Sequence, residues 1–226
     1  MIIDRIFIAK EYLSGNGIEI GALHNPLAVP ENAHVTYLDR MPNIELRKQY
    51  PELDTANFVD IGIIDDGEKL ATIADNSLDF VIANHFLEHC ENPLGAIYNM
   101  LRVLCSQGIL YMAIPDKRFT FDVNRPVTNL KHCINDYRFG PGWFRNQHFK
   151  EWAQYVNKIR GKKQIAAQVK HLVKMNYSIH FHAWTQTEVL ELVIYIKSKL
   201  NLNVECELIC NNRPLAEVIV ILRKTG

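Results

Sequence analysis

The chain has 226 residues, 48% hydrophobic and 22% charged, which suits one globular α/β domain with a decorated edge. Its 25 Lys and Arg balance 25 Asp and Glu, so no global field draws it to nucleic acid or to an anionic membrane. The five cysteines, at 90, 105, 133, 206 and 210, form no Cys-x-x-Cys; they argue against a disulfide framework or zinc ribbon and fit a reducing, cytoplasmic setting.

Apolar residues at 2, 3, 6, 8, 12 and 13 predict a short helix, broken by Ser14-Gly15-Asn16-Gly17. A buried strand follows over 18–20, with Glu19 near its end. Gly21 stands where the chain must turn sharply and where a ligand can approach the backbone closely. A second strand over 34–38 ends at Asp39, 18 residues past Gly21. A carboxylate there can accept from two vicinal hydroxyls at once. A third strand is expected over 57–61, then a turn into a short helix over 65–70.

Residues 77–85 read as a buried fourth strand ending in the polar pair Asn84 and His85. Asn92-Pro93 is a helix start, and Leu94, Ile97, Leu101 and Leu104 mark the apolar face of that helix. A fifth strand over 109–114 is closed by Pro115. The alternation predicts a parallel sheet with helices on both faces.

From 116 to 183 the alternation stops and aromatics, Pro, Gly and His take over, with short helices expected near 130–137, 150–159 and 164–175. This region is expected to be a lid over the strand ends, inserted within one domain spanning 1–226. Its basic cluster, Lys158, Arg160, Lys162, Lys163, Lys170 and Lys174, reads as a solvated face. Thr185 to Glu188 is a capping-box pattern opening another helix. Two strands follow, over 204–210 and 216–222, the last returning antiparallel.

The titratable residues near these strand ends and in the insertion are the candidates for proton transfer: His85, Asp116, Asp122, His132, His180 and His182. His180 and His182 share a face in an extended segment, as a base and its orienter or as metal ligands. Further metal ligands would have to come from Asp122, His132 or Asp136, and with no compact ligand motif no metal is expected.

The run from Asn76 through Leu87-Glu88-His89, Asn92-Pro93, Leu101 to Leu104 and Ile114-Pro115-Asp116 resembles the class I S-adenosylmethionine-dependent methyltransferases of the small-molecule, type 11-like kind. The resemblance implies a Rossmann-like seven-stranded, mostly parallel sheet. It also implies S-adenosylmethionine as cofactor, with Glu19, Gly21 and Ala22 beside its methionine portion and Asp39 on its ribose. Asp66-Gly67 would lie near the adenine, with Asn84 and His85 flanking the cofactor. His85, Asp116, His180 and His182 are the catalytic candidates. Two departures stand out: Ala22, Leu23 and His24 replace further glycines, and Ser106-Gln107-Gly108 replaces Pro-Gly-Gly.

The insertion resembles a subset of methyltransferase-like proteins from surface-polysaccharide and cell-envelope gene sets. Its marks are Pro115 to Asp122, Arg125-Pro126, His132, Asp136-Tyr137 and His180 to Trp184. The expected activity is methyl transfer to a small-molecule or carbohydrate acceptor, by O-methylation, with no nucleic-acid or membrane partner. The alternative is a degenerate methyltransferase fold that binds or scaffolds without turnover, supported by the thinned glycine motif.

Overall fold

Runs of β-branched and aliphatic residues become strands of one sheet in a computed structural model that describes residues 4–53, 55–200 and 202–226. The strands are β1 (Gly15–Ile20), β2 (Ala33–Asp39), β3 (Ile61–Ile64), β4 (Leu78–Asn84), β5 (Leu104–Pro115), β6 (Val204–Asn212) and β7 (Glu217–Lys224). Their spatial order is β3-β2-β1-β4-β5-β7-β6. β1 to β5 pair in parallel, and β7 runs antiparallel to both β5 and β6. The strand order reverses between β1 and β4, and the crevice at their carboxyl ends is where such sheets bind ligands.

Both faces of the sheet are covered. Helix α1 (Arg5–Tyr12) lays Ile8 and Ala9 against Phe80, Ile82 and Tyr111. The opposite face buries Val81, Ala83, Leu110 and Met112 with α3 (Pro93–Val103) and α7 (Gln186–Lys199). Period-two alternation along β4 and β5 sends neighbouring residues to these two cores. The helix starts follow from their caps. Asn92 accepts from the Gly95 amide, and Thr185 and Glu188 form a reciprocal capping box.

Several elements differ from expectation. Ile2 and Ile3, at the start of the first expected helix, lie outside the described residues. The stretch 57–60 is not strand: the Val59 amide donates to Leu23 O, and β3 begins only at Ile61, which pairs with Tyr37 before a register shift brings Leu38 opposite Ile63. Residues 65–70 form a turn without a helix, because the Asp65 carboxylate takes the Thr72 amide and hydroxyl and folds the chain back. No helix covers the β1–β2 connection. Helix α2 (Asn43–Gln49) follows β2 instead.

The insertion contains α4 (Leu130–Phe139), α5 (Arg145–Glu151), a wider helical turn at Trp152–Val156, and α6 (Lys162–Lys174). It has its own small core of Phe149, Trp152, Leu172, Ile179 and Phe181. The basic cluster from Lys158 to Lys174 is exposed. The returning segment is stitched to the rest of the chain: the Phe181 amide donates to Glu88 O, Lys117 to Trp184 O, and Thr128 to Ala183 O.

Candidate functional site

At the end of β1 the backbone turns through Gly21, at φ +66°, a conformation glycine adopts without strain. Glu19, two residues earlier, points into the protein. Both its oxygens accept from the Leu27 amide, at 3.1 and 3.0 Å, which pins the loop after β1. Burial pushes the Glu19 carboxyl up to about 7, against the opposing pull of Leu27, Asn84 and Arg5. Asp39 closes β2. One of its oxygens accepts from the Arg40 amide at 2.7 Å, and its burial pushes its pKa up. Gly67 is required by close packing, since a Cβ there would lie 2.6 Å from Ile20 Cγ2 and 2.7 Å from Phe86 Cζ.

Gly21, Asp39, Asp66, Gly67 and His85 line one cavity of about 520 Å³, within the range of small-molecule sites. The sheet side contributes Ile20, Leu38 and Phe86, and the insertion contributes Arg145, Tyr177, Ser178 and Phe181. The Arg145 side chain bonds Glu91 at 2.9 and 3.0 Å, tying α5 to the loop before α3. Glu19, Ala22 and Asn84 are not on the cavity wall.

At the floor, His85 is held at φ +48° with its amide on Ala113 O at 2.8 Å. Its Nε2 lies 2.8 Å from Glu217, which also accepts from Arg5 and from Asn212 at 2.7 Å. Burial raises the Glu217 pKa, and its bonds to His85 and Arg5 outweigh that, leaving it below the usual carboxylate range.

His85 Nδ1 faces Glu88 at 3.8 Å, and His180 Nε2 faces the same Glu88 oxygen at 3.9 Å. The other nitrogen of His180 bonds Asp122 at 2.6 Å, and Asp122 accepts from Arg125 at 2.9 Å. Burial opposes ionisation of Asp122, but His180 and Arg125 hold it below its ordinary value. Glu88 is fully buried, and neither of its oxygens makes a hydrogen bond among the described residues. Burial raises its pKa, and His180 and His85 pull the other way. His89, on the cavity wall, bonds Ile179 O at 3.0 Å; burial and the nearby His180 push it down to about 3, so it is neutral.

Two imidazoles, each backed by a carboxylate, therefore converge on a third, buried carboxylate beside the cavity. Neutral imidazoles held in one tautomer can accept a proton, and a carboxylate partner stabilises the imidazolium that results.

The other two catalytic candidates lie elsewhere. Asp116 is buried, and Arg118 occupies both of its oxygens. Burial raises its pKa, but Arg118 more than compensates and holds it low. His182 is fully buried and stacks on Trp184 with ring centres 5.1 Å apart. Glu88, His89 and Glu217 gave no sequence signal of a site role. An acid at an inward position of an apolar strand, as Glu217 is on β7, is the pattern that would have flagged it.

A family model described as a methyltransferase domain matches residues 14–112. No curated protein matches the chain. Among solved structures, a Rhodobacter sphaeroides protein grouped by its description with the Zn-dependent alcohol dehydrogenases is 15% identical. The alignment covers 95% of this chain and 86% of that one, with a TM-score of 0.56. A Haloferax volcanii complex of the Trm112 methyltransferase activator and a methyltransferase gives 11% identity, coverage of 97% and 87%, and a TM-score of 0.53. A SAM-dependent methyltransferase of Methanosarcina mazei gives 15% identity, coverage of 95% and 95%, and a TM-score of 0.49. At these identities the likeness to the first two concerns the fold alone.

Proposed function

We propose that this protein, whose residues 14–112 match a methyltransferase-domain model, uses S-adenosylmethionine to methylate a hydroxyl of a small, sugar-type acceptor. The cavity residues fit the cofactor. Asp39 keeps one oxygen for ribose hydroxyls, Ile20, Leu38 and Phe86 offer an apolar wall to a flat base, and the Gly21 turn leaves the backbone open beside β1. Asp66 and Gly67 would sit at the adenine, and Gly21 and His85 at the amino-acid end.

When bound, the cofactor supplies an electrophilic methyl on a sulfonium. The rest falls to this chain: aligning the acceptor, excluding water and removing a proton. His85, on the cavity wall, takes the acceptor's proton at Nδ1 while Glu217 fixes Nε2. Glu88 balances the imidazolium charge, and His180 is set behind it by Asp122 and Arg125. Phe181, Tyr177 and Arg145 of the insertion form the side of the cavity where an acceptor would enter, which gives the insertion its role as lid and acceptor site.

The observation that carries this reading is the convergence of His85, on the cavity wall, and His180 on the buried Glu88 beside the cavity. Calorimetry with S-adenosylhomocysteine tests the cofactor half. Incubating isotopically labelled methyl donor with pools of hydroxylated acceptors, read by product mass, tests the transfer. Binding without any labelled product across pools of sugar-type acceptors would favour the non-catalytic alternative. Absence of binding would end the catalytic reading.

A further inference from the structure

Inside the insertion, away from the cavity wall, four side chains from three segments meet. His132 and Asp136 are one turn apart on α4, His148 comes from α5, and His182 from the extended segment that leads to Trp184. His132 Nε2 lies 3.1 Å from His148 Nε2 and 3.2 Å from Asp136 Oδ2. One nitrogen from each of the three histidines lies within 4.8 Å of the others. Asp136, His148 and His182 are 1%, 5% and 0% exposed.

This cluster is short of hydrogen-bond partners. Asp136 Oδ2, His148 Nδ1 and both ring nitrogens of His182 complete no hydrogen bond among the described residues, and for His182 only the Glu91 backbone lies near enough to draw on it. Buried polar groups are almost always satisfied, so several left open around one point mark a missing common partner. One shared proton can satisfy the His132–His148 contact; it leaves the Asp136 oxygen and His182 unmet.

We propose that His132, Asp136, His148 and His182 hold one divalent transition-metal ion, zinc by the nature of the donors. Zinc takes imidazole and carboxylate ligands tetrahedrally at about 2.0–2.2 Å, which sets neighbouring ligand atoms about 3.3 Å apart. The contacts of 3.1 and 3.2 Å are already on that scale. Four protein ligands leave no open position, the mark of a structural rather than a catalytic ion. The outer shell is begun as well, since Trp143 Nε1 donates to Asp136 Oδ1 at 2.8 Å and orients the carboxylate.

Such an ion would clamp α4 and α5 to the segment carrying Ser178 and Phe181, and so would fix the insertion's wall of the cavity. Of the ligands, only His148 was absent from the residues weighed from the sequence, because spacing alone does not bring α5 to α4.

The test is metal analysis of the full chain, expressed with Zn²⁺ and dialysed against buffer. About one equivalent of zinc should remain, and replacement by Co²⁺ should give the visible absorption of a tetrahedral site. Asp136→Asn and His148→Gln should each lose one equivalent. Trp143→Phe should keep the ion with affinity about 10-fold weaker or more, the scale for loss of an outer-shell partner. A chelator should lower the melting temperature of the wild type and leave unchanged any ligand variant that folds. If the wild type retains less than roughly a tenth of an equivalent after zinc loading, or if both ligand variants keep the full wild-type complement, the assignment is overturned. The wild-type measurement decides even where the variants fail to fold.

Discussion

Asp39 is the side chain on which cofactor affinity should turn. Its uncommitted oxygen, next to one already held by the Arg40 amide, can make charge-assisted bonds to two hydroxyls, each worth about 1.5–3 kcal/mol. Asp39→Asn should weaken S-adenosylhomocysteine at least ~10-fold in calorimetry without unfolding the protein; unchanged affinity would reduce Asp39 to a backbone cap. His85→Gln should behave differently. Removing a general base costs on the order of 10²-fold in rate, so kcat should fall by that much while cofactor affinity stays close to wild type. A loss confined to KM would make His85 a binding residue only. Glu19 gives a pH signature. Its folded pKa of about 7 is above the usual carboxylate value, so the folded state holds a proton that the unfolded chain has released between pH ~4.5 and ~7. Stability should therefore fall as pH rises through that window, by at most about 1.4 kcal/mol per pH unit, and Glu19→Gln should flatten the slope in denaturant titrations. That Asp39 and Gly21 would line the cavity was legible in the sequence, because each is placed by its position at a strand end. Glu88 and Glu217 stayed silent because their meaning comes from His85, His180 and Arg5, which reach them from other elements.

Elements with local causes could be read from the sequence, and elements set by tertiary pairing could not. The starts of α3 and α7 are written in Asn92-Pro93 and in Thr185 with Glu188, and both caps form as expected. Residues 57–61 carry strand-like composition, yet β3 starts at Ile61, because what makes a strand there is the bulged pairing with Tyr37 and Leu38. In the insertion the helices were visible and their assembly was not. Its organising contact is the buried Arg125–Asp122 pair beneath His180, in which both side chains are 1–2% exposed. Arg125→Met would leave Asp122 buried without its cation, and such losses cost about 3–5 kcal/mol. A urea midpoint lowered by that amount, together with a reduced kcat, is expected. A variant as stable as wild type would show that the pair is not holding the insertion together.

At the scale of the whole molecule, the sheet places β7 between β5 and β6, and β6 pairs with no strand other than β7. Glu217, the first residue of β7, joins Arg5 of α1 to His85 at the end of β4. The arrangement has a consequence for chains that end early. A chain that stops before residue 217 has β6 without its partner and the apolar flank of β5 open. Released chains truncated before residue 217 should be cut readily by protease within β6 and should bind chaperones that recognise exposed aliphatic strands. The same chains would carry His85 without the carboxylate that sets its tautomer. On the proposed mechanism, a chain lacking residues 217–224 would have no Glu217 to hold His85 Nε2 and so no oriented base.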